Sequence, residues 1–405
     1  MIRLRDTTHP NTAEFLNAAI RVAEYYGFSP LEEMKISKEK DAKARALVAK
    51  AESDLVFARR DERYFLSAAR RAAGIARTRR LTGAGDHFLA WRIGQQSGSP
   101  HQTLELHVVG SPGAVAEALL LVIGSAIADE AGISGRTLSI NNIGSMESSN
   151  RYVRDIGLYL RKHLESISPT LRPRAAEDPL GTLVQLIEKG HPAAPRAPQS
   201  MEYLTEDERR KFWELLEYLE SLGLAYELSP SILGSRDYWA HSLFELSTVD
   251  PETGGKLPFA FGGRYDPLVS RFAGQPTHAS MIAINVETRG KTRAPRRIPA
   301  LPAIYFAHLG PEARRRSISV LEQLRHAEIP VHQSLLYDKI GDQMIKARDF
   351  AVPFILIMGY KEAMENTVLV REVATNSQEA VPVDDIINHL KRRRIGAWRV
   401  ESRVS

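Results

Sequence analysis

The chain has 405 residues, 43% of them hydrophobic and 25% charged, which is typical of folded proteins and excludes long disordered or fibrous stretches. This length exceeds that of one ordinary core, so we expect two or three domains. Cysteine is absent, which excludes disulfides, thiolate metal sites and cysteine nucleophiles and fits a cytoplasmic location. The formal net charge of +5 allows a polyanionic partner such as nucleic acid without demanding one.

Two segments bear on membrane association, and neither supports it. The N-terminus, from Met1, lacks the apolar core of a signal peptide. The most apolar run, residues 118–128, is stopped by Asp129 and Glu130 and is too short to cross a bilayer. We therefore predict a buried helix there and no membrane partner.

Two helices are predicted in the N-terminal part of the chain. Apolar residues recur at helical spacing over 11–26, and a short extended piece is predicted over 30–36. A second helix is predicted over 61–80, and its second half carries the basic residues Arg70, Arg71, Arg77, Arg79 and Arg80. Two interpretations remain open for this basic end, a solvated face or a binding patch.

A hairpin is predicted next, with strands over 86–93 and 103–109 joined by a polar loop. In the second strand, apolar residues alternate with Glu105, His107 and Val109. Because successive side chains of a strand point to opposite faces, this strand is expected to have one partly polar, pocket-facing side.

The remaining chain alternates helices and strands. Helices are predicted over 115–131, 206–222, 312–327, 341–350 and 384–394, and strands over 225–228, 240–246 and 258–261 and in four later apolar runs. Residues 151–205 are interpreted as a helical insertion or connector, and the basic, proline-containing segment 289–302 as a linker. We therefore expect one domain at 1–298 and an α/β domain at 299–405.

The run Gly262-Gly-Arg-Tyr-Asp266 admits two interpretations. As a binding element, Arg264 and Tyr265 would hold a small carboxylate or a nucleotide. As a structural element, the two glycines would permit a close strand crossing while Tyr265 and Asp266 hold a turn.

Three segments carry a family resemblance. Residues 262–269 read GGRYDPLV, similar to the GGRYDGLV of histidyl-tRNA synthetase, and residues 237–245 read DYWAHSLFE, similar to its DYYTxTVFE. Residues 341–359 are similar to a stretch of its anticodon-binding domain. The resemblance implies an α+β class II synthetase fold, with an antiparallel sheet flanked by helices, a C-terminal α/β anticodon-binding domain and a homodimer.

The resemblance also implies where catalytic groups should stand. Aligned without gaps, the second class-defining motif places Leu89 at the ATP-binding arginine and Trp91 at a glutamate. His107 takes the position of the glutamate that accepts a hydrogen bond from the substrate's imidazole. The histidine-specific arginine falls on Gly234, and the arginine of the third motif falls on Thr288.

These replacements predict a pseudoenzyme, because adenylation depends on positive groups that neutralise the phosphates of ATP. No catalytic residue, metal or cofactor is expected. The residues that match or neighbour the family positions form a vestigial pocket: Arg92, Arg236, Asp237, Tyr238, Arg264, Tyr265 and Glu287. Arg92 and Arg236 would be displaced substitutes for missing arginines.

Three functions remain open. The first is a dimeric binding protein for tRNA or another nucleic acid, with candidate contacts at Arg314, Arg315, Arg316, Lys391, Arg392, Arg393 and Arg394. The second is a divergent but active histidine-tRNA ligase that uses ATP and magnesium. The third resembles the regulatory subunit of ATP phosphoribosyltransferase, and a protein partner is a further alternative to RNA.

Overall fold

A computed structural model of the chain describes residues 1–36, 49–50, 53, 55, 61–81, 86–95, 101–133, 135–250, 252–290 and 302–395. Most of the predicted linker and of the hairpin loop lies outside the described residues. No helix in these ranges combines the length and the apolarity needed to cross a bilayer.

An eight-stranded sheet organises the first part of the chain, in the order β1-β2-β3-β8-β7-β6-β4-β5. The strands are β1 (Ser29–Pro30), β2 (Phe88–Gln95), β3 (His101–Val109), β4 (Thr137–Asn142), β5 (Tyr226–Leu228), β6 (Ala240–Val249), β7 (Lys256–Arg264) and β8 (Ala279–Glu287). Neighbours are antiparallel except at the two edges, where β1 runs parallel to β2 and β5 runs parallel to β4. The predicted extended piece at 30–36 is largely wrong, since the chain turns into a short 3-10 helix, Leu31–Glu33, directly after β1.

Helices cover both faces of this sheet. They are α1 (Thr12–Tyr25), α2 (Leu66–Arg79), α3 (Val115–Glu130), α4 (Met146–Lys162), α5 (Arg172–Glu177), α6 (Pro179–Glu188), α7 (Glu206–Ser221) and α8 (Asp266–Ala273). One hydrophobic cluster joins α1, α3 and α7 to the first face, and a second joins α2, α4, α6 and α8 to the other.

Helix α3 confirms the prediction of a buried helix. Every residue from Val115 to Ala128 is buried, as expected for a helix that is apolar on all sides. It lies against the sheet so closely that a Cβ on Gly124 would come within 2.8 Å of Ile282.

The C-terminal part forms a second sheet in the order β10-β9-β11-β12-β13. Its elements are β9 (Ile304–His308), α9 (Pro311–His326), β10 (Val331–Gln333), α10 (Ile340–Asp349), β11 (Phe354–Met358), α11 (Tyr360–Glu365), β12 (Thr367–Glu372), β13 (Gln378–Pro382) and α12 (Ile386–Arg392). The predicted alternation of strands and helices is therefore present.

Helix α9 holds the two parts together. The Arg325 guanidinium lies 2.9 Å from Glu130 at the end of α3, and the Tyr25 hydroxyl donates to the backbone of Leu321. Tyr26 is fully buried and bonds Glu322. The hydrophobic cluster of the first sheet face continues through these contacts into the second sheet.

Candidate functional site

The polar side expected for β3 exists. Leu104, Leu106 and Val108 belong to the cluster that contains α3, whereas Glu105 and His107 point to the opposite face of the sheet. The alternation of the sequence therefore predicted this side correctly, because a strand repeats every two residues.

His107 sits at the centre of a buried polar cluster on that side. Its Nδ1 lies 2.8 Å from the Tyr265 hydroxyl and its Nε2 lies 3.4 Å from Glu105 Oε2. A carboxylate only accepts, so the ring directs Nε2–H towards Glu105, and Nδ1 accepts from the Tyr265 hydroxyl. Burial, followed by the nearby charge of Glu105, raises the pKa of Tyr265, which keeps its hydroxyl proton available for this bond.

The centre of the cluster is buried. His107, Tyr265 and Met281 are each 0% exposed, and Met281 is the residue directly opposite His107 on β8. The Tyr238 and Trp239 rings lie 4.7 Å apart, and the Tyr238 ring stacks beside Tyr265. The imidazole of His107 is therefore buried against side chains of its own chain.

Leu89 and Trp91 lie on the face of β2 that is turned away from His107. Leu89 pairs with Val108 and is buried in the cluster with α3, and Trp91 packs against that same cluster. Neither side chain lies on the His107 side, because successive residues of a strand point to opposite faces. The correspondence of these two positions to the family's arginine and glutamate stays a prediction.

Arg92 does lie on the pocket side, directly opposite Glu105. Its guanidinium lies 3.8 Å from Glu105 Oε2 and 3.2 Å from Glu32, and it donates to the Ser67 hydroxyl at 2.7 Å. These three contacts anchor Arg92 to its own chain. Glu105 was not among the candidate site residues, although the strand pattern placed it on one face with His107.

The two glycines of GGRYD have a steric role. A Cβ on Gly262 would lie 2.2 Å from the Met281 carbonyl oxygen, and a Cβ on Gly263 would lie 2.4 Å from the Ser242 carbonyl oxygen. Real Cβ atoms do not approach backbone this closely, so β7 can lie between its neighbours only with glycine at both positions. The close strand crossing expected for these glycines is present.

Arg264 is buried and occupied by groups of its own chain. It forms a bidentate pair with Glu117 of α3, with both N–O distances 2.7 Å. It also donates to the carbonyl oxygens of Ser111 at 3.1 Å and Gly113 at 3.0 Å. Only 5% of its side chain is exposed, so this guanidinium serves the fold.

Asp266 holds the turn that follows Arg264. Its carboxylate accepts from the Ala279 backbone N–H at 2.7 Å and pairs with His278 at 2.9 Å. Burial opposes ionisation of this group, but the Arg264 charge and the His278 bond hold the pKa of Asp266 below its ordinary value. The turn-forming role expected for Asp266 is therefore visible in its bonds.

The other pocket candidates from the DYWAHSLFE segment are distributed around the cluster. Asp237 pairs with Arg271 at 3.0 Å, and Arg236 donates to the Asn150 side chain on α4. Tyr238 is buried beside Tyr265, whereas Gly234 is buried in the loop that precedes them.

The candidates of the third motif lie at the end of β8. Glu287 accepts from the Leu4 backbone N–H at 2.9 Å, so its carboxylate fastens the N-terminal segment. Thr288 follows it and is half-buried, and the side chain of Arg289 is exposed.

The basic candidates of the second sheet differ in exposure. Arg314, Arg315 and Arg316 are partly buried, and Arg315 bridges Glu217 of α7 and Glu312 at 2.9 and 2.6 Å. They contribute to internal contacts more than to an open surface.

The basic residues at the end of α12 are all exposed. Arg392 pairs with Asp385 at 2.9 Å and Arg393 with Glu379 at 2.6 Å. Lys391 and Arg394 make no ion pair within the part of the chain that the structure describes. This end of α12 is the stronger of the two candidates for contact with a polyanion. Across the same described residues, no three His, Asp or Glu side chains are grouped to hold a metal ion.

Comparison with known proteins identifies the family of the C-terminal part. Residues 304–393 match the family model of the anticodon binding domain. The histidine–tRNA ligase of Thermosynechococcus vestitus is 29% identical over 296 residues, covering 73% of this chain and 68% of that protein. The histidine–tRNA ligase of Symbiobacterium thermophilum is 28% identical over 299 residues, covering 72% and 68%.

Solved structures give a looser likeness. Apo histidyl-tRNA synthetase of S. aureus is 18% identical and covers 93% of this chain and 95% of its own, with a TM-score of 0.46. At this score the superposition supports no argument by itself. The sequence relatives, the matched domain and the antiparallel sheet together establish that the chain is a histidyl-tRNA synthetase-like protein, with a class II synthetase-like fold and a C-terminal anticodon-binding domain.

Proposed function

We propose that this protein does not activate histidine and acts instead as a dimeric, cytoplasmic binding protein whose partner is tRNA or another nucleic acid. The observation that carries the first half of the proposal is the burial of His107 against Tyr265. By resemblance, position 107 should accept a hydrogen bond from the substrate's imidazole. Here an imidazole of the chain itself occupies that side of the sheet.

Entry of histidine would require this cluster to open. The His107 ring would have to leave its two polar partners, Tyr265 and Glu105. The Met281 side chain, which lies directly opposite on β8, would also obstruct a ligand. Each buried polar group left without its partner costs about 1–3 kcal/mol, which a small substrate would have to supply from its own contacts.

The nucleic-acid half rests on the C-terminal domain. Residues 304–393 match an anticodon binding domain, and the exposed basic end of α12 falls at its border. Cations on an exposed surface release counterions from phosphates, which gives affinity that falls steeply with salt.

Two titrations test the proposal. Calorimetry with histidine should give no saturable heat, because His107 is buried and bonded to Tyr265 on the side where the substrate's imidazole would bind. Filter binding of total tRNA should give saturable binding whose affinity drops between low and moderate salt. Saturable histidine binding would contradict the first half of the proposal. Absence of tRNA binding would contradict the second half and direct the search to a protein partner.

A charge variant sharpens the tRNA measurement. Lys391→Gln with Arg394→Gln should weaken binding at every salt concentration and lower the slope of log affinity against log salt by roughly 1.5 to 2. The matched control is Lys162→Gln with Lys189→Gln, two exposed lysines distant in sequence from the C-terminal domain. Equal losses in both double variants would show that only net charge matters.

An active ligase is the second candidate, and one observation favours it. Arg92 lies on the same strand face as His107, where a phosphate-binding arginine would be useful. Its contacts with Glu32 and Ser67 weigh against this role, since the guanidinium would have to exchange them for a phosphate.

A further inference from the structure

A cleft lies on the face of the large sheet opposite to the His107 cluster. Arg264 points to this face, towards α3, whereas the next residue, Tyr265, points to the His107 cluster. The polar residues that line the cleft are three acids, four basic or imidazole side chains, one amide and one hydroxyl: Glu117, Glu208, Asp266, Lys211, His241, Arg264, His278, Asn142 and Ser242. Its volume is about 50 Å³, several times the roughly 10–15 Å³ that one water needs, so it has room for one small polar group.

The carboxylates around this cleft are already satisfied. Glu117 accepts two bonds from Arg264 and one, at 3.1 Å, from the Ser242 hydroxyl. Asp266 accepts from the Ala279 backbone and pairs with His278. These acids need no cation from outside.

Glu208 at the start of α7 is satisfied in the same way. It accepts from the backbone N–H groups of Ser145 at 2.6 Å and Thr205 at 2.8 Å, and from the Ser148 hydroxyl at 2.7 Å. Its burial opposes ionisation, but these hydrogen bonds lower the pKa of Glu208 to about 2.

Several nitrogen groups of the cleft, in contrast, lack hydrogen-bond partners among the described residues. Asn142 is 3% exposed, and its Oδ1 accepts from the Gly144 N–H, yet its amide NH2 has no partner among the described residues. The His241 ring and the Lys211 ammonium also have none within those residues, and His278 has one ring nitrogen left over. Lys211 and His278 are exposed to solvent, so the enclosed part of the cleft is lined by the Asn142 amide and the His241 ring.

His241 is held there by a strained backbone. Its φ is 55°, and it stands where the register of β6 against β7 shifts between Ala240 and Leu243. A residue other than glycine in this conformation costs free energy, and bulges of this kind commonly redirect a side chain towards a site.

The N-terminus of α3 lies beside the cleft. This helix has 16 residues and starts without a side-chain cap, and Pro112 and Ala114, which stand just before its first residue, line the cleft. The positive end of the helix dipole favours a negatively charged group there.

We propose that this cleft binds a small oxyanion, the phosphate or carboxylate group of a ligand. The unpaired amide of Asn142, the imidazoles of His241 and His278, and Lys211 donate to its oxygens. The site is separate from the His107 cluster, so it does not depend on whether the protein activates histidine.

Calorimetric titration at constant ionic strength tests this proposal, with inorganic phosphate and acetate as separate probes. Saturable binding of either anion to the wild type is expected, and the tighter of the two identifies the ligand class. His241→Gly should bind at least about tenfold more weakly. Glycine suits the positive φ, so this variant should fold at least as well as the wild type.

Lys211→Gln should weaken binding in the same direction. The control is Arg210→Gln, which removes the neighbouring exposed charge on α7 but does not line the cleft. Absence of saturable binding to the wild type by both anions would overturn the proposal. Undiminished binding in both His241→Gly and Lys211→Gln would overturn it as well.

Discussion

Substitution of Arg264 by Met separates the structural and the ligand-binding interpretations of GGRYD. The variant removes the cation but keeps most of the side-chain volume. Among the described residues, Glu117, whose side chain is 4% exposed, is then left with the Ser242 hydroxyl as its side-chain hydrogen-bond donor. The carbonyl oxygen of Ser111 loses the Arg264 donor, whereas that of Gly113 retains its bond from the Ala116 backbone N–H.

The expected cost is large because a buried charge loses its partner. Breaking one side of a buried ion pair typically destabilises a protein by about 3–5 kcal/mol. For a unit of roughly 300 residues, about 2 °C of melting temperature corresponds to 1 kcal/mol, so Arg264→Met should lower Tm by roughly 6–10 °C. The double variant Arg264→Met with Glu117→Leu should regain most of this loss, because no unpaired charge remains.

The assay is a thermal melt at one pH and salt concentration. It compares the wild type, Arg264→Met, Glu117→Leu and the double variant. A Tm for Arg264→Met within about 2 °C of the wild type would refute the reasoning, because breaking a buried ion pair destabilises a fold by more than that. That result would instead indicate that Arg264 is accessible and available to bind a ligand.

Three further perturbations have definite expectations. Gly262→Ala should destabilise by more than about 3 kcal/mol in urea melts, because the new Cβ would lie 2.2 Å from the Met281 carbonyl oxygen. Burial lowers the pKa of His332 to about 4, so the unfolded chain binds a proton more readily than the folded one. The free energy of unfolding should therefore fall by up to about 3 kcal/mol as the pH drops from 6.5 to 4. His332→Phe keeps the stacking on Phe350 and should flatten this dependence of stability on pH. Glu208, with its pKa lowered to about 2, stabilises the fold fully above its unfolded pKa. The cost of Glu208→Gln in pH-dependent melts should therefore be largest above about pH 4.5 and should shrink steadily as the pH falls towards and below 2.

The sequence predicted local structure well where one physical signal dominated. Helix α3 is apolar on every side, which leaves burial as its only stable arrangement. The period-two pattern of β3 placed Glu105 and His107 on one face without any knowledge of the fold. Glycines in GGRYD indicated a close backbone approach for the same kind of reason, since no other residue tolerates it.

Contacts that join distant parts of the chain were beyond such reasoning. The Tyr265 partner of His107 lies 158 residues further along the chain, and no local pattern connects the two. The pairing of β2 with β3 could also not be read from the motif alignment, because the length of a hairpin loop decides which residues share a face. In the observed pairing Arg92 shares the sheet face of His107, whereas Leu89 lies on the opposite face.

We propose that the chain's own His107 cluster closes the histidine pocket. Histidine-dependent exchange of pyrophosphate into ATP measures the first step of a ligase without requiring tRNA, and it detects very few active molecules. With purified protein, ATP, magnesium and millimolar histidine, the exchange rate should equal that of the reaction without histidine. Exchange that rises with histidine concentration and saturates would contradict the claim and establish an active ligase.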